Sequence, residues 1–504
     1  MITSDKIYEL LKQGEGLHLE IKACSDSVPR SVWETYSAFA NTRGGIILLG
    51  ITEDKSKQAN QRFIISGVSD VNKVVTDFFN ILNNQQKVSR SILIDSDVRI
   101  VQVDGKDIVH ITVHEADYRQ KPIYINDNLQ SGTFKRVHEG DRHVTPQELA
   151  MLIRDSCDDT DQQIIEHYGM DDVDAETLRG YRQVFNDTHP GHAYTKLSDK
   201  DFLSKLGGYS VDRIKGIEGL TMAGLLMFGK SLSIHENFPN FRVDYLNLIG
   251  IELGGSKKWN DRLTDDGRWE DNLFNFLTLA MQKLLFTLPS GGTLEGVFRK
   301  DGGVMHEAVR EAFINTITYC DYKLTGVLRI DRKTDRIVMR NPGTLRISPE
   351  RIYNGEYTQA RNSTIQKILR MIGLGDNIGS GFSKIITAWS TLGLPKPEIH
   401  EEDEVNEVWL TLPLGENLNK TDQKNDQKND QKNRQKSRQK SRQKNEQIII
   451  QLISSNPTIT IKDLSSTSGF SLSGVNKIIA RLKQKGQIKR VGADKGGHWI
   501  VTSE

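Results

Sequence analysis

A low-complexity stretch near the C-terminus limits what this chain can fold into more than any other feature. Residues 420–446 repeat a four-residue unit, first Asp-Gln-Lys-Asn and later Arg-Gln-Lys-Ser, and contain no apolar side chain. Such a segment cannot bury a core, so it predicts a solvated linker over 416–446. The chain is therefore expected to fold as separate bodies, a long one before the linker and a short one after it.

The net charge is divided in the same way. Residues 420–446 carry ten basic and four acidic side chains, a net of +6, whereas the whole chain carries +1. The other 477 residues therefore carry −5, and the near-neutral total does not exclude a nucleic-acid partner. The basic segment is either a cationic arm that touches phosphates or a soluble spacer. The spacer is favoured, because aspartates cancel the charge of its first half.

Length and composition define the broad class. The 504 residues predict three or four domains, and no apolar run approaches the ~18 residues of a membrane span. The first residues lack the pattern of a signal peptide, so we expect a cytoplasmic protein without a membrane partner. Cys24, Cys157 and Cys320 lie far apart and form no CxxC motif, which argues against a disulfide framework or a zinc site.

The tail, 447–504, has the pattern of three helices followed by a hairpin. Apolar residues recur at helical spacing in three runs, and two short strand-like runs flank a glycine-containing turn. These runs are 448–453, 461–464, 475–482, 488–491 and 498–501. The order predicts a winged helix-turn-helix domain.

Basic and polar side chains on the third helix and the hairpin suit a DNA contact. The candidates are Ser473, Asn476, Lys477, Arg481, Lys489 and Arg490. On a recognition helix such side chains read base edges or bind phosphates from the major groove. A winged helix used for protein contacts is the alternative. DNA is favoured, because the basic residues cluster on the predicted groove-facing side.

The N-terminal region predicts a strand, a helix and a buried strand. Around residues 17–22 apolar residues alternate with polar ones, so Glu20 and Lys22 are expected on a polar face. A helix is expected around 32–40. The apolar run 46–51 reads as a buried strand that is followed by Glu53 and Asp54.

These runs resemble the AlbA-type domain of the Schlafen family over roughly residues 1–155. The matching runs are 15–22, 37–45 and 48–54, with a weaker likeness at 121–124 and 132–136. Most members are described as nucleic-acid-binding modules, and some Schlafen proteins are metal-dependent RNA endonucleases with two glutamates five residues apart and a third carboxylate.

For this chain the resemblance implies a nuclease site of three carboxylates and a lysine. Glu15 and Glu20 keep the spacing, Glu53 or Asp54 is the third carboxylate, and Lys22 would hold the phosphate. Such carboxylates would bind Mg²⁺ or Mn²⁺, which positions water and stabilises charge on phosphorus. The alternative is that these acids only solvate a strand edge in a binding module.

A match to the Walker A pattern at 224–231 is rejected. Its four interior residues are Leu-Leu-Met-Phe, which favour burial in a helix or strand over wrapping a phosphate. The following segment is too short and too polar for the P-loop helix. With no credible motor motif, helicase activity is not expected.

A second nucleotide candidate lies in a helix predicted around 305–317. Glu311 and Asn315 are four residues apart, a spacing at which a carboxylate orients water while an amide oxygen binds Mg²⁺. The alternative for these positions is a solvated helix face.

The region 215–415 resembles the divergent GHKL-like ATPase region that often follows the AlbA-type domain in bacterial proteins once labelled helicase-related. The matching runs are 310–315, 321–322, 335–337, 341–343, 361–362 and 379–381. The resemblance implies ATP and Mg²⁺ bound by a common set of residues. That set is Glu311 as the catalytic acid with Asn315, Asp335, Asn341, Gly343, Gly379 and Gly381. Tyr319-Cys320 replaces the usual His-Arg, and the adenine-binding DxGxG motif is absent. A scaffold or dimerisation module is therefore the alternative.

The chain is thus predicted to be a multidomain α+β protein. The predicted parts are an AlbA-type Schlafen domain (1–155), a helical connector (156–214), a GHKL-like α/β sandwich (215–415), the linker (416–446) and the winged helix (447–504). Two functions follow: an ATP-responsive, DNA-binding transcriptional regulator, which is favoured, and a metal-dependent RNA (tRNA) endonuclease in antiphage defence. A homo-oligomer is expected, since a palindromic DNA site would require a dimer.

Overall fold

The protein forms two compact units, Met1–Gly415 and Glu416–Glu504. A computed structural model describes residues 2–58, 62–158, 160–252, 254–288, 303–356, 359–375, 381–402, 405–415, 449–468, 472–492 and 497–502. The predicted linker over 416–446 lies outside the described residues. The boundary between the two units nevertheless falls where that linker is predicted to begin.

The N-terminal part of the first unit is a mixed sheet with helices on both faces. Its elements are α1 Ser4–Gln13, β1 Leu19–Lys22, α2 Ser31–Asn41, β2 Gly45–Leu49, β3 Ile51–Glu53, β4 Phe63–Ile65, α3 Val71–Leu82, β5 Val98–Val103, β6 Lys106–Val113, β7 Phe134–Val137, β8 Gly140–His143 and α4 Pro146–Asp155. The strand order is β1-β2-β6-β5, and β1 runs parallel to β2. Trp33 of α2 stacks on Phe78 of α3 at 5.1 Å in the core on one face, and α1 covers the other.

The strand predicted over 46–51 is interrupted by a glycine. Gly50 has a φ of 96°, and a Cβ there would lie 3.0 Å from the side chain of Val68. Only glycine adopts this left-handed conformation at low cost. The break separates β2 from β3, which pairs with β4 and carries Glu53 at its end.

A small region of helices and a hairpin follows. Its elements are α5 Ala175–Thr188, α6 Asp199–Leu206, β9 Tyr209–Asp212, β10 Ile217–Leu220, α7 Met222–Phe228 and α8 Ser231–Asn237. The predicted connector over 156–214 is therefore not wholly helical. The carboxylate of Asp212 accepts the backbone N–H groups of Ile214 and Lys215, and Gly216 has a φ of 68°, so the chain turns back as a hairpin.

The Walker A-like match lies in and just after α7, which is buried over its whole length. A Cβ on Gly224 would lie 1.8 Å from the carbonyl oxygen of Gly208, so this glycine permits close packing of helix against loop. A buried helix cannot wrap a phosphate, which agrees with the rejection of the motif.

The C-terminal part of the first unit is a layer of helices on a six-stranded sheet. Its elements are β11 Val243–Leu248, β12 Asp261–Leu263, α9 Leu273–Phe286, α10 Gly303–Thr318, β13 Leu328–Lys333, β14 Arg336–Pro342, α11 Pro349–Tyr353, α12 Ser363–Arg370, α13 Gly381–Thr391, β15 Glu398–Glu402 and β16 Glu407–Pro413. The strand order is β12-β11-β13-β14-β16-β15, with β11 and β13 parallel. Helix α10 packs on β14 and against α9, α12 and α13. The helix predicted around 305–317 is confirmed as α10.

Two ion pairs, one of them buried, join the N-terminal part to the sheet layer. Asp155 at the end of α4 accepts two hydrogen bonds from Arg361, at 2.7 and 2.9 Å. Arg154 pairs with Asp321 at 2.6 Å. Because both pairs link α4 to residues around α12 and α10, the two parts are held together by directional contacts as well as by packing.

The second unit is a winged helix, as predicted. Its elements are α14 at 449–455, α15 Ile461–Ser468, α16 Leu472–Gln484, β17 Ile488–Val491 and β18 His498–Val501. Trp499 is 3% exposed and donates its indole N–H to the carbonyl oxygen of Ile459 at 3.1 Å, which fixes the hairpin on the helices. The chain as a whole is therefore a multidomain α+β protein with open sheets. Throughout the described ranges, the helices are too short or too polar to cross a membrane.

Candidate functional sites

The first candidate site lies where β1 and β3 meet in the N-terminal part. Glu15 precedes β1 and accepts the backbone N–H of Ile21 at 3.0 Å. Burial raises the pKa of Glu15, and the negative charges of Glu20 and Glu53 raise it further, while the Ile21 N–H and Lys22 oppose them. The structure therefore brings Glu15, Glu20, Glu53 and Lys22 into one electrostatic neighbourhood.

Glu20 differs from its expected exposure on a polar strand face. It is 5% exposed, and its two oxygens pair with Lys22 and with Arg136, the latter at 2.7 Å. Arg136 is itself buried and also donates to Gly16, Leu19 and Asp141. The alternation pattern missed this because Arg136 lies 116 residues further along the chain.

Asp54 does not join the cluster. Its carboxylate accepts the backbone N–H and the hydroxyl of Ser56, at 3.1 and 2.6 Å, and lies 3.8 Å from Lys57. These groups lower its pKa, the Ser56 hydroxyl most of all. Of the two candidates for the third carboxylate, Glu53 is thus the one whose charge acts on Glu15.

The clustered carboxylates do not fit a metal ion as they stand. Ligand atoms around one Mg²⁺ lie at most about 4.2 Å apart, since each is about 2.1 Å from the ion. Among the described residues, the glutamates are not a group whose oxygens all come within 4.8 Å of one another. Both oxygens of Glu20 already have cationic partners. The geometry is that of a largely buried ion-pair network around Glu20.

The second candidate site is a cavity beside α10 and α13. It has a volume of about 560 Å³ and is lined by Glu311, Lys384 and Gly375 among others, a size that suits a small ligand. Burial raises the pKa of Glu311, and this outweighs the lowering effects of Lys384 and of the hydrogen bond with Asn315. A Cβ on Gly381 would lie 2.3 Å from Oε1 of Glu311, so the structure brings Glu311, Asn315 and Gly381 together.

The turn at Asn341 and Gly343 lies away from this cavity, and groups of the same chain occupy the space beside it. Asn341 is 5% exposed and donates its amide to the carbonyl oxygen of Pro342. A Cβ on Gly343 would lie 2.6 Å from Nη1 of Arg361, whose guanidinium also binds Asp155. The space left by the missing side chain of Gly343 is thus occupied by Arg361.

Asp335 is separated from this turn by the length of a strand. It precedes β14, whereas Asn341 lies near the other end of that strand, and the side chain of Asp335 pairs with Arg336. Gly379 lies outside the described residues. The described members of the predicted nucleotide set therefore occupy three places and do not form a single ATP pocket.

The third candidate site is the solvent-facing side of the winged helix. Asn476 and Lys477 of α16 are exposed, and Arg481 is half-buried with its Nε donating to the carbonyl oxygen of Lys477 at 3.1 Å. Ser473 lies in α16, but its side chain is outside the described part of the chain. On the hairpin, Lys489 is exposed.

Arg490 does not extend freely into solvent, as a side chain that contacts a DNA phosphate was expected to do. It is half-buried, with its guanidinium 5.0 Å from the ring centroid of Trp499. Such a cation–π contact fixes the arginine against the hairpin. The charge of Arg490 is therefore held close to the domain surface.

Family comparisons agree with the domain order. Residues 15–145 match the model described as "Schlafen, AlbA_2", 326–412 match "Putative ATP-dependent DNA helicase recG C-terminal", and 442–489 match "Winged helix-turn-helix DNA-binding". These matches confirm the three resemblances seen in the sequence. Residues 150–244 match a domain of unknown function that covers the predicted connector. The matches to AlbA-type and winged helix models support nucleic-acid binding.

Two solved structures are similar to the chain at low identity. The DIP2311 protein from Corynebacterium diphtheriae is 19% identical, with 96% of this chain and 92% of that chain covered and a TM-score of 0.39. The N-terminal domain of a "Putative ATP-dependent DNA Helicase RecG-related Protein" from Nitrosomonas europaea is 27% identical, with 29% and 95% covered and a TM-score of 0.23. Neither score is high enough to support a conclusion. No curated protein matches the chain.

Proposed function

We propose that the protein is a DNA-binding transcriptional regulator in which the winged helix reads the target sequence. The observation that carries this proposal is the exposed polar and basic face of α16, with Asn476 and Lys477 free of the domain core. Exposed polar side chains on a recognition helix read base edges, and exposed lysines bind phosphates.

Charge supports the same assignment. Residues 447–504 carry eight lysines and arginines against three aspartates and glutamates, although the chain before residue 420 is acidic overall. A basic domain is attracted to the phosphate backbone and orients its recognition helix there. The first unit is acidic overall, so the contact that reads the DNA sequence is assigned to the basic tail.

The test is binding of the full chain to DNA selected from a random library, measured by fluorescence anisotropy at several salt concentrations. Lys477→Ala should weaken binding to all sequences and reduce the slope of log K against log salt by about 0.9. Asn476→Ala should instead lose about 1–3 kcal/mol of discrimination at one base pair. Lys205→Ala removes the same charge from α6 and should change neither quantity. Selection of no preferred sequence by the wild type would overturn the proposal.

The alternative function is a metal-dependent RNA endonuclease. Its support is the shared electrostatic neighbourhood of Glu15, Glu20 and Glu53, with Lys22 beside them. The pairing of Glu20 with Arg136 weighs against it, because a metal would have to displace a buried arginine. Incubation of the full chain with tRNA and Mn²⁺ decides between the functions. Cleavage that is lost in Glu20→Gln would favour the nuclease, and intact tRNA with the wild type would exclude it under those conditions.

We further propose that any response to ATP involves the cavity beside Glu311. Its support is the size of the cavity and the hydrogen bond between Glu311 and Asn315. The separation of Asp335 and Asn341 from this cavity argues for a scaffold instead. Isothermal titration with ATP and Mg²⁺ tests the point. Heat that disappears in Asn315→Ala but persists in Asp335→Asn would support binding here, and no heat with the wild type would contradict it.

A dimer would match a palindromic target, since two winged helices can read two half-sites related by a two-fold axis. We propose that the full chain forms a homo-oligomer on DNA. Light scattering of the protein with and without its selected DNA tests this proposal. A complex of one chain per DNA duplex would refute it.

A further inference from the structure

A histidine and two aspartates meet between α8 and the segment that follows β12. His235 lies in α8, while Asp265 and Asp271 lie in the stretch before α9. Nε2 of His235 is 2.8 Å from Oδ2 of Asp271 and 3.9 Å from Oδ2 of Asp265. Within the described residues, this is the one group of three such side chains whose ligand atoms all lie within 4.8 Å of one another.

The carboxylate of Asp271 indicates that a partner besides His235 binds here. Its side chain is fully buried, and its Oδ1 atom has no hydrogen-bond partner among the residues that the structure describes. Buried polar atoms are nearly always bonded, so an unsatisfied carboxylate oxygen calls for a cation, a proton or a water. His235 offers Nε2 to the other oxygen and cannot satisfy both.

The backbone around the cluster is held in place from two sides. The backbone N–H of Asp271 donates to the hydroxyl of Ser231 at 3.0 Å, and the backbone N–H of Ser231 donates to Glu270. Trp269 donates its indole N–H to Thr264 at 3.1 Å, which folds the segment that carries Asp265 back on itself. The two aspartates are therefore presented to His235 by an ordered segment.

From this geometry we infer a zinc site formed by His235, Asp265 and Asp271. Ligand atoms of a tetrahedral zinc ion, each about 2.1 Å from the metal, lie about 3.4 Å apart, and the observed 2.8 and 3.9 Å fall on either side of that value. The imidazole ligand favours zinc over Mg²⁺ or Ca²⁺, which take oxygen ligands. Three protein ligands leave a fourth position for water or a partner group.

The site is open on one side. The side chain of Asp265 is 50% exposed, that of His235 is 32% exposed and that of Asp271 is buried. An ion can therefore reach the site from solvent without unfolding the segment. Once bound, it would join α8 to the chain before α9 and neutralise the charge of the buried carboxylate.

The test is zinc binding by the full chain without an affinity tag, measured by equilibrium dialysis with metal analysis and by thermal melting. The wild type should bind one Zn²⁺ per chain, and Zn²⁺ should raise its melting temperature. Asp265→Asn should lose at least ~10-fold in affinity and the thermal shift, because it removes an exposed ligand without disturbing the core. His235→Gln should do the same.

Asp266→Asn is the matched control, since its carboxylate is adjacent in sequence and pairs with Arg268 instead. It should bind zinc as the wild type does. Binding of equal strength by Asp265→Asn, His235→Gln and the wild type would place the zinc elsewhere and overturn the inference. If the wild type binds no zinc, the inference is also overturned, and the cluster is only an ion pair of His235 and Asp271.

Discussion

The ion pair between Asp155 and Arg361 makes a prediction that can be worked through from the structure. Both side chains are at least 90% buried, and their two hydrogen bonds measure 2.7 and 2.9 Å. Replacing Asp155 with asparagine keeps the shape of the side chain and removes its charge. The guanidinium of Arg361 then stays buried without its hydrogen-bonded counter-charge, while the charge of Asp321 still acts on it.

The expected cost is set by desolvation. Breaking a buried pair by removing one partner typically costs 3–5 kcal/mol, because the remaining charge stays out of water. Arg361 also donates to the carbonyl oxygens of Tyr319 and Thr344, and these bonds persist in the variant. We therefore expect a loss at the lower end, about 3 kcal/mol of unfolding free energy.

Urea unfolding of the full chain, followed by tryptophan fluorescence, measures this loss. The matched control is Asp199→Asn, which breaks a pair with Arg182 of similar length, 2.8 Å, but with Asp199 60% exposed. Exposed pairs contribute about 1 kcal/mol or less, so the control should barely shift the transition. A double replacement, Asp155→Leu with Arg361→Met, should recover most of the stability, because neither side chain then needs a counter-charge.

The comparison between the two single variants can refute the reasoning. If Asp155→Asn costs no more than Asp199→Asn, burial does not give the Asp155 pair its strength. If the double replacement is as unstable as Asp155→Asn, packing rather than the orphaned charge accounts for the loss.

Three further changes are predicted. Thr145→Ala should cost about 1 kcal/mol in urea unfolding, because the Thr145 hydroxyl accepts the backbone N–H of Glu148 at the start of α4; unchanged stability would contradict this. Burial raises the pKa of Asp161 to about 6, so the folded chain holds this proton more tightly than the unfolded chain. Stability should then fall by up to about 3 kcal/mol as pH rises from about 4 to 6, and identical pH profiles for the wild type and Asp161→Asn would exclude the effect. Gly224→Ala should cost at least about 1–3 kcal/mol in a thermal melt, because its Cβ would strike the carbonyl oxygen of Gly208; a wild-type melting temperature would contradict the packing.

The winged helix could be predicted from the sequence almost completely. Its apolar positions recur at helical spacing within short runs, and the residues that end each run are glycines or a proline. The core of this domain is formed by the apolar residues of those same runs, from Ile449 to Trp499. Local patterns therefore contain the information that fixes this fold.

The carboxylate site was predictable only in part. The sequence indicated that acids would gather near β1, but it left Glu53 and Asp54 open. The choice depends on how β3 pairs with β4 and on Ser56, which holds Asp54 in its own turn. The burial of Glu20 depends on Arg136, and no periodicity links two residues in different elements so far apart.

The predicted nucleotide set is separated in the structure, whereas the proposed zinc site was not predicted from the sequence. Motif order placed Asn341 and Glu311 in one predicted site, whereas the sheet puts them in separate places. His235 and Asp271 form no recognisable motif in the sequence, yet the docking of α8 brings them to 2.8 Å. Spacing along a chain predicts proximity within one helix or strand but not across a sheet.

The strand order of the six-stranded sheet has a consequence for synthesis on the ribosome. Strand β16, the last of the sheet to be made, lies between β14 and β15, so the edge of β14 stays open until residue 413 has emerged. Asp155 likewise waits for Arg361, 206 residues later. At roughly 10 residues per second, Arg361 is synthesised about 20 seconds after Asp155, and until then Asp155 lacks its ion-pair partner. The nascent chain therefore has a window in which an unpaired strand edge and an unmatched carboxylate are both accessible to a chaperone.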